Sequence, residues 1–417
     1  MKKVLILTVT AGNGHNSAAN AMKNKLEQTG QAEVRVVDII KEYTSHFNSW
    51  IVDKGYNIAV GYLRPLYDLF YNAYFKYPVE KASVCPPQTS VKSLNGKLLK
   101  LIYEFKPDVI YTTTYYGGMA LANLRRVYKL PSFNIVCMLD YVVSPFWEPS
   151  IGGVEILTMA HEDNREKLLE KGFDNKNLLM TGIPVSDKFS KEIDKTKARE
   201  MLGIDKDLFT VFIFYGGGHW QGSYGILKAL LKGVKKKIQI IICNGHNEKT
   251  KKKIDKEMSK YPENFKIVNY GFVNNVDVIM SASDVMIGKG GGLSTTEAVN
   301  KGLPLIATYK LPGQEYYNIQ FLKEKGVALS FRNYKELVRH INYLYDSRDV
   351  LTRMSLGMKE MKTTAIDTIA ELIMSQPDAD YDGINTSLDY GKVNKIVSHA
   401  RKRRYKEIKK QKKNKQK

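Results

Sequence analysis

Three glycine-bearing stretches hold the residues best suited to chemistry. In TAGNGHNSAANA (10–21) an apolar run turns into a helical pattern; Gly12 and Gly14 permit a tight turn and His15 falls at the helix start. An imidazole whose ordinary pKa is ~6.5, held where the chain leaves a strand, suits a general base. A histidine that only caps or packs is the competing reading. The spacing misses G-x-G-x-x-G because residue 17 is Ser, so Asp38, about 20 positions on, does not make this a nicotinamide site. The second stretch, FYGGGHWQG (214–222), contains Gly217 and Gly218. The third, GKGGGLSTTEAVNKGLP (288–304), sets Gly291 and Gly292 before a helix whose first turn is expected to hold Glu297. Bare glycines and helix starts both favour anions. Two such turns in one half of the chain suit a nucleotide diphosphate, and Glu297 then reads the paired hydroxyls of its ribose. Ser294 to Glu297 also fits a capping box, in which the glutamate only bonds back to the backbone. Gln314, Glu315 and Asn318, in LPGQEYYN (311–318), suit sugar hydroxyls or an ordinary helix start.

The elements that must position these residues alternate. VLILTV, AEVRVVDI, DVIYTT, FNIVCML, EILTMA and NLLMTG read as strands with helical stretches between them. The pattern restarts at LFTVFIFYGGG and continues through IQIIIC, FKIVNY, DVMIG and LPLIAT. Such alternation predicts an α/β chain of two doubly wound, Rossmann-like domains facing a cleft, joined near 182–207. The expected division is 1–200, 201–345, terminal helices over 346–376 that have the option of returning to the first domain, a polar linker over 377–390, and a basic tail over 391–417.

A chain of 417 residues with 43% hydrophobic content has room for two or three cores, and no apolar run approaches the ~20 residues of a membrane span. The amino-terminal MKKVLILTVTAGNGH runs into a glycine loop, which fits a buried first strand better than a secretory signal. Cys85, Cys137 and Cys243 are too few and too scattered for a disulfide framework or a metal knuckle, so a cytoplasmic protein is expected. Asp-Ala-Asp at 378–380 lies in the polar linker, and no metal is expected there or elsewhere. Of the formal net charge of +21, residues 391–417 supply +12. The dense aromatics between Tyr43 and Tyr77 fit either a surface that dips into a membrane or a helical core with tyrosines at its rim.

The residues TAGNGHNSAANAM, LLMTGIPVSDKF, GFVNNVDVIMSASDVMIGKGGGLSTTEAVNKGLPLIA and PGQEYYN together resemble the diacylglycerol glycosyltransferases of glycosyltransferase family 28. These are the monogalactosyldiacylglycerol synthases and the bacterial processive diacylglycerol glucosyltransferases. The resemblance covers about residues 3–345, is most specific in the second half, and extends more distantly to the lipid-linked N-acetylglucosaminyl transferase of peptidoglycan synthesis. It implies a GT-B fold, with a lipid acceptor on the first domain, a UDP-sugar on the second, inverting transfer and no metal cofactor. By resemblance Gly217, Gly218, Gly291 and Gly292 adjoin the diphosphate. The backbone at Phe272 and Val273 holds uracil, Glu297 binds ribose, and Gln314 and Glu315 face the sugar. His15 matches the histidine of the acceptor loop, where Gly12 and Gly14 also lie. In MLDYVVSPFW, Asp140 and Trp147 keep the family pattern while Ser144 stands where a His is common, which leaves both Asp140 and His15 as bases to consider.

The expected activity is therefore hexose transfer from a UDP-sugar to a membrane lipid, with diacylglycerol first. A polyprenyl-linked or other cell-envelope glycan is the alternative acceptor, and a UDP-sugar epimerase of the same shape comes third. A nucleic-acid-binding protein is a different class prompted only by the tail; no nucleic-acid module is recognisable, and no nucleic-acid partner is expected. The tail is read instead as a tether to an anionic membrane, placing the protein peripherally on the inner face of the cell membrane.

Overall fold

The computed structural model describes residues 1–10, 14–43, 94–215, 222–258, 265–308, 313–400 and Arg403. Gly12, Gly217, Gly218, Cys85, the aromatic stretch beyond Tyr43 and most of the basic tail lie outside the described residues. The chain divides into two compact units. One comprises Met1–Ala11, His15–Pro184 and Ala365–Lys417, the other Gly12–Gly14 and Val185–Thr364.

The first unit is built on β1 (Lys2–Thr8), β2 (Ala32–Asp38), β3 (Val109–Thr112), β4 (Phe133–Cys137), β5 (Ile156–Met159) and β6 (Leu178–Met180). They form one parallel sheet in the order β2-β1-β3-β4-β5-β6. Val4 of β1 lies opposite Val34 on one side and Val109 on the other. β1 and β3 are apolar without alternation because both faces of a central parallel strand are covered, whereas β2 at the edge is buried only at intervals. Helix Asn95–Phe105 contributes Leu98, Leu99 and Ile102 to that core and stops where Lys106 turns left-handed at φ 52°.

The second unit carries β7 (Phe209–Phe214), β8 (Ile238–Cys243), β9 (Phe265–Tyr270), β10 (Val285–Gly288), β11 (Leu305–Thr308) and β12 (Ala328–Phe331). The order is β12-β11-β10-β7-β8-β9, again all parallel. Val211, Ile213, Ile240, Ile242, Ile287 and Ile306 form the centre of its core. β12 is not among the strands expected from the sequence. It is short and half-covered, with neither a continuous nor an alternating apolar run to mark it.

Two expected boundaries move. The expected 1–200 domain ends at Pro184, because the following segment is anchored to the second unit. There Ala198 packs with Val278 and Ala282, and the Arg199 guanidinium donates to the Ala282 carbonyl and to Asp284 at 2.9 Å each. The terminal helices expected as one block over 346–376 part at Thr364. Helix Arg348–Glu360 stays with the second unit, while helix Ala365–Met374 belongs to the first, where Asp367 pairs with Lys25.

The segment expected as a polar linker, 377–390, is docked on the first unit. Tyr381 is buried with its hydroxyl donating to the Pro107 carbonyl (2.9 Å), and the Ala379 N–H donates to Asp108 (2.8 Å). Beyond it, residues 390–400 are helical, so the first part of the stretch expected as a basic tail is folded. Val393 and Val397 are 1% and 3% exposed, and the Asn394 side chain accepts from the Gly96 N–H. Burying two valines contributes roughly 3 kcal/mol. A chain cut before residue 390 is therefore expected to melt several degrees below one ending at Arg403, measurable by calorimetry.

Among the described residues no helix is long and apolar enough to cross a membrane. Cys137 and Cys243 are buried and free.

Candidate active site

In each sheet the strand order reverses once, and a doubly wound sheet gathers ligand at the carboxyl ends of the strands flanking that point. In the first sheet the flanking strands are β1 and β3. Helix Gly14–Glu27 begins after β1 with His15 as its second residue, and Thr113 immediately follows β3. The two meet: His15 Nδ1 lies 2.6 Å from the Thr113 carbonyl. A carbonyl only accepts, so Nδ1 carries the proton and Nε2 keeps its lone pair. Burial lowers the His15 pKa, opposed by the Thr113 bond and the Asp38 charge, so the ring is neutral near pH 7.

The surroundings are fixed by a chain of short polar side chains. Asp38 accepts from the Thr10 N–H and hydroxyl (2.8 and 2.5 Å), Asn16 donates to the Thr10 hydroxyl (3.0 Å), and Thr8 donates to Asn16 (2.9 Å). Sequence reading missed Thr113 as the partner of His15, although three threonines at the end of β3 (112–114) were a signal of polar function there.

In the second sheet the flanking strands are β7 and β10. Residues 216–221, after β7, lie outside the described residues, whereas the turn after β10 is described. Gly290 adopts φ 71°, and a Cβ there would lie 2.4 Å from Ile319 Cγ1. Left-handed backbone costs a side chain about 1–2 kcal/mol before any clash. Gly290→Ala is accordingly expected to lower the melting temperature by several degrees, a check on how tightly this turn is held.

Gly291 then caps helix Gly292–Asn300, without a side-chain cap bond. The helix thus starts earlier than expected: Glu297 is its sixth residue, in the second turn, and Ser294 is not the cap. Both the first-turn placement and the capping-box alternative fail for the same reason, because the glycine turn rather than Ser294 sets the helix start. Glu297 is half-buried, and burial pushes its carboxyl up to about 8, with the Lys188 charge opposing and the Asp277 charge adding.

Glu315 is held 2.8 Å from Lys289, next to Gly291, whose Cβ position lies 3.5 Å from Glu315 Oε1. Gln314 and Glu315 open helix Gln314–Glu324 behind Gly313 at φ 76°. Asn318 is buried and donates to the Gly290 carbonyl at 3.4 Å, so it serves the turn. The geometry thus gathers Lys289, Gly291, Gly292, Gln314 and Glu315 at one edge, with Glu297 one turn deeper.

Phe272 and Val273 follow β9. The Phe272 ring is 58% exposed and lies parallel to the His246 imidazole, with centroids 4.7 Å apart. His246 was not anticipated. In the first unit Asp140 is buried just past β4. Ser144 caps the short helix Pro145–Ser150, its hydroxyl accepting from the Phe146 N–H at 3.3 Å, and Trp147 is a core residue packed with Val136, Leu157 and Met159. Ser144 and Trp147 thus hold the loop in shape, and the Trp147 ring meets Tyr115, two residues beyond Thr113, edge-on with centroids 5.9 Å apart.

Two doubly wound parallel sheets, each with one reversal of strand order, define the class. The solved structure of Acinetobacter baumannii MurG has the same fold, with a TM-score of 0.61 at 16% identity over 90% of this chain and 99% of that one. So does the UDP-GlcNAc 2-epimerase of Neisseria meningitidis, at 0.57 and 14% over 89% and 99%. The fold is GT-B.

The chain belongs to glycosyltransferase family 28: residues 15–185 match the monogalactosyldiacylglycerol (MGDG) synthase family and residues 221–372 the family 28 C-terminal domain. Among curated relatives, the processive diacylglycerol beta-glucosyltransferase of Bacillus licheniformis is 27% identical over 383 residues, covering 90% of this chain and 94% of that protein.

Proposed function

We propose that the protein is an inverting glycosyltransferase that moves a hexose from a UDP-sugar to a membrane lipid, with diacylglycerol as acceptor. The observation that carries the reading is the His15–Thr113 bond, which leaves Nε2 as a neutral base at the reversal point of the first sheet of a family 28 chain. The acceptor named for the Bacillus relative supports diacylglycerol.

Nε2 takes the proton of the acceptor hydroxyl as that oxygen attacks the anomeric carbon. The bond to the diphosphate breaks on the opposite face, and its electron pair leaves with UDP, so configuration inverts. Backbone N–H groups at Gly291 and Gly292, with Gly217 and Gly218 of the other turn, stabilise the leaving charge, and no step calls for a metal. The backbone at Phe272 and Val273 holds uracil, Glu297 the ribose, and Gln314 and Glu315 the sugar. Asp140 is the second base to test.

Incubation with labelled UDP-glucose and UDP-galactose and with diacylglycerol in detergent micelles, followed by thin-layer chromatography, is expected to show label in a lipid. Label appearing only on a polyprenyl-linked acceptor would overturn the diacylglycerol assignment.

The protein acts peripherally, on the inner face of the cell membrane, with the basic tail as an electrostatic tether. Residues 404–417 hold eight Lys or Arg and one Glu. Each basic side chain near anionic lipid contributes ~1 kcal/mol, screened over ~8–10 Å. Removing 404–417 is expected to reduce sedimentation with phosphatidylglycerol vesicles, most at low salt, while activity in neutral micelles stays unchanged. Equal vesicle binding by the shortened chain would remove the tether.

A further inference from the structure

We propose that the second unit carries a binding site for a phosphate ester at the end of its sheet opposite the glycine turns. A cavity of about 760 Å³ lies there. Its walls include Ser283 and Asp284, which lead into β10, and Leu303 and Pro304, which lead into β11. It therefore lies at the amino-terminal edge of the strands, whereas the turn at Gly290 and Gly291 leaves from their carboxyl ends. The site is separate from the one assigned to the sugar donor and does not rest on that assignment.

The charge of this cavity is a net excess of cation. Lys191, Lys301, Lys359 and Lys362 line it, and none forms an ion pair among the described residues. Lys301 Nζ donates to the Lys191 carbonyl at 2.6 Å and Lys362 Nζ to the Ser190 carbonyl at 3.0 Å. A carbonyl takes one N–H and no charge, so each ammonium keeps two donors and its full positive charge.

Of the three carboxylates in the lining, one is neutralised by ion pairs. Asp284 is held by Arg199 and Lys195, and Asp194 caps helix Lys195–Met201 by accepting from the Lys197 N–H. Glu192 and Asp194 keep their charge, two acids against four unpaired lysines, so the lining still carries a net excess of cation. Burial lowers the pKa of Lys301, and the neighbouring Lys362 charge lowers it further, against the pull of Asp277 and Glu192. A bound anion opposes both effects on Lys301.

A second feature points to a ligand. Asn300 lines the cavity, is only 6% exposed, and its side-chain oxygen has no partner. Its amide nitrogen makes one long bond, 3.4 Å to the Ser190 hydroxyl. Oxygen and nitrogen of an amide exchange places by a half-turn of the side chain. In that orientation the oxygen accepts from Ser190, and the NH₂ is free to donate to an anion oxygen beside the lysines.

The volume exceeds that of a bare phosphate. Leu356, 54% exposed, gives one wall an apolar surface for the organic part of an ester. Such an ester comes either from solution or from a phospholipid headgroup.

Glycerol 3-phosphate is the soluble probe, titrated by calorimetry into the full chain, and phosphatidylglycerol vesicles against phosphatidylcholine vesicles are the lipid probe. Lys301→Gln combined with Lys362→Gln is expected to weaken binding at least tenfold, since two charged hydrogen bonds are lost. UDP affinity and melting temperature serve as controls. Lys359→Glu, at an exposed position, provides an independent variant where folding is not at stake. Loss with the soluble ester assigns a soluble ligand, and loss confined to vesicles assigns a lipid headgroup. Equal binding of both probes by wild type and both variants, or displacement of the ester by saturating UDP, would overturn the site.

Discussion

His15→Ala is expected to lower turnover by about 10²–10⁴-fold while leaving UDP affinity almost unchanged. The magnitude follows from the proposed role of His15 as general base with its tautomer already set: the Thr113 carbonyl holds the proton on Nδ1 and leaves the Nε2 lone pair for the acceptor. Burial lowers the His15 pKa, so protonation in acid switches the base off only below the ordinary histidine value of ~6.5. Wild-type kcat/KM should accordingly stay flat through neutrality and fall on the acid side, and the variant should lose that limb. Stopped assays across pH, with UDP binding measured calorimetrically on the same samples, separate the base from a packing role. Near-normal turnover in the variant would transfer the assignment to Asp140, testable by Asp140→Asn.

The place of His15 was legible because a glycine turn between an apolar strand and a helix is a local signal. What holds it was not: Thr113 lies 98 residues away, and only the sheet order β2-β1-β3 brings the two loops together. The two-sheet architecture was readable for the complementary reason. Central strands such as β7 and β8 are almost continuously apolar, a pattern that needs no tertiary information, while the half-covered β12 has no such pattern.

Local signals misled where two of them competed. Ser294 and Glu297 carry the spacing of a capping box, yet the left-handed Gly290 and the end of β10 start the helix at Gly292. In the tail, thirteen basic residues masked a short apolar spacing, Val393 and Val397, that docks the first turns against helix Asn95–Phe105. Charge density marked the tail as a tether, and the burial of two side chains ties its first turns to the fold. Domain boundaries followed packing partners, such as Arg199 on Asp284, rather than changes in composition.

Glu297→Gln is expected to make the free protein more stable and its UDP complex weaker. The folded-state carboxyl titrates at about 8, raised by burial above its ordinary value of 4.5. The folded state therefore binds more protons than the unfolded state between those values, and this group's contribution to stability is full below 4.5 and is lost as pH rises through about 8. A neutral amide of similar shape removes that dependence. The melting temperature of the variant should match wild type near pH 4.5 and exceed it by a growing margin up to about pH 8.

Ribose binding runs the other way. A carboxylate accepting from hydroxyls contributes ~1.5–3 kcal/mol, but ionising it one unit below its pKa costs ~1.4 kcal/mol. Near pH 7 the substitution should then weaken UDP several-fold or less, and above pH 8 by about tenfold or more, with wild-type affinity rising along the same interval. On the proposed reading, donor binding would use a half-buried acid that folding alone does not favour, a stability cost retained for function. Calorimetric titrations of UDP at two pH values, alongside thermal melts of the unliganded proteins, read both halves. A variant that melts lower at neutral pH while binding UDP as wild type does would return Glu297 to a structural role.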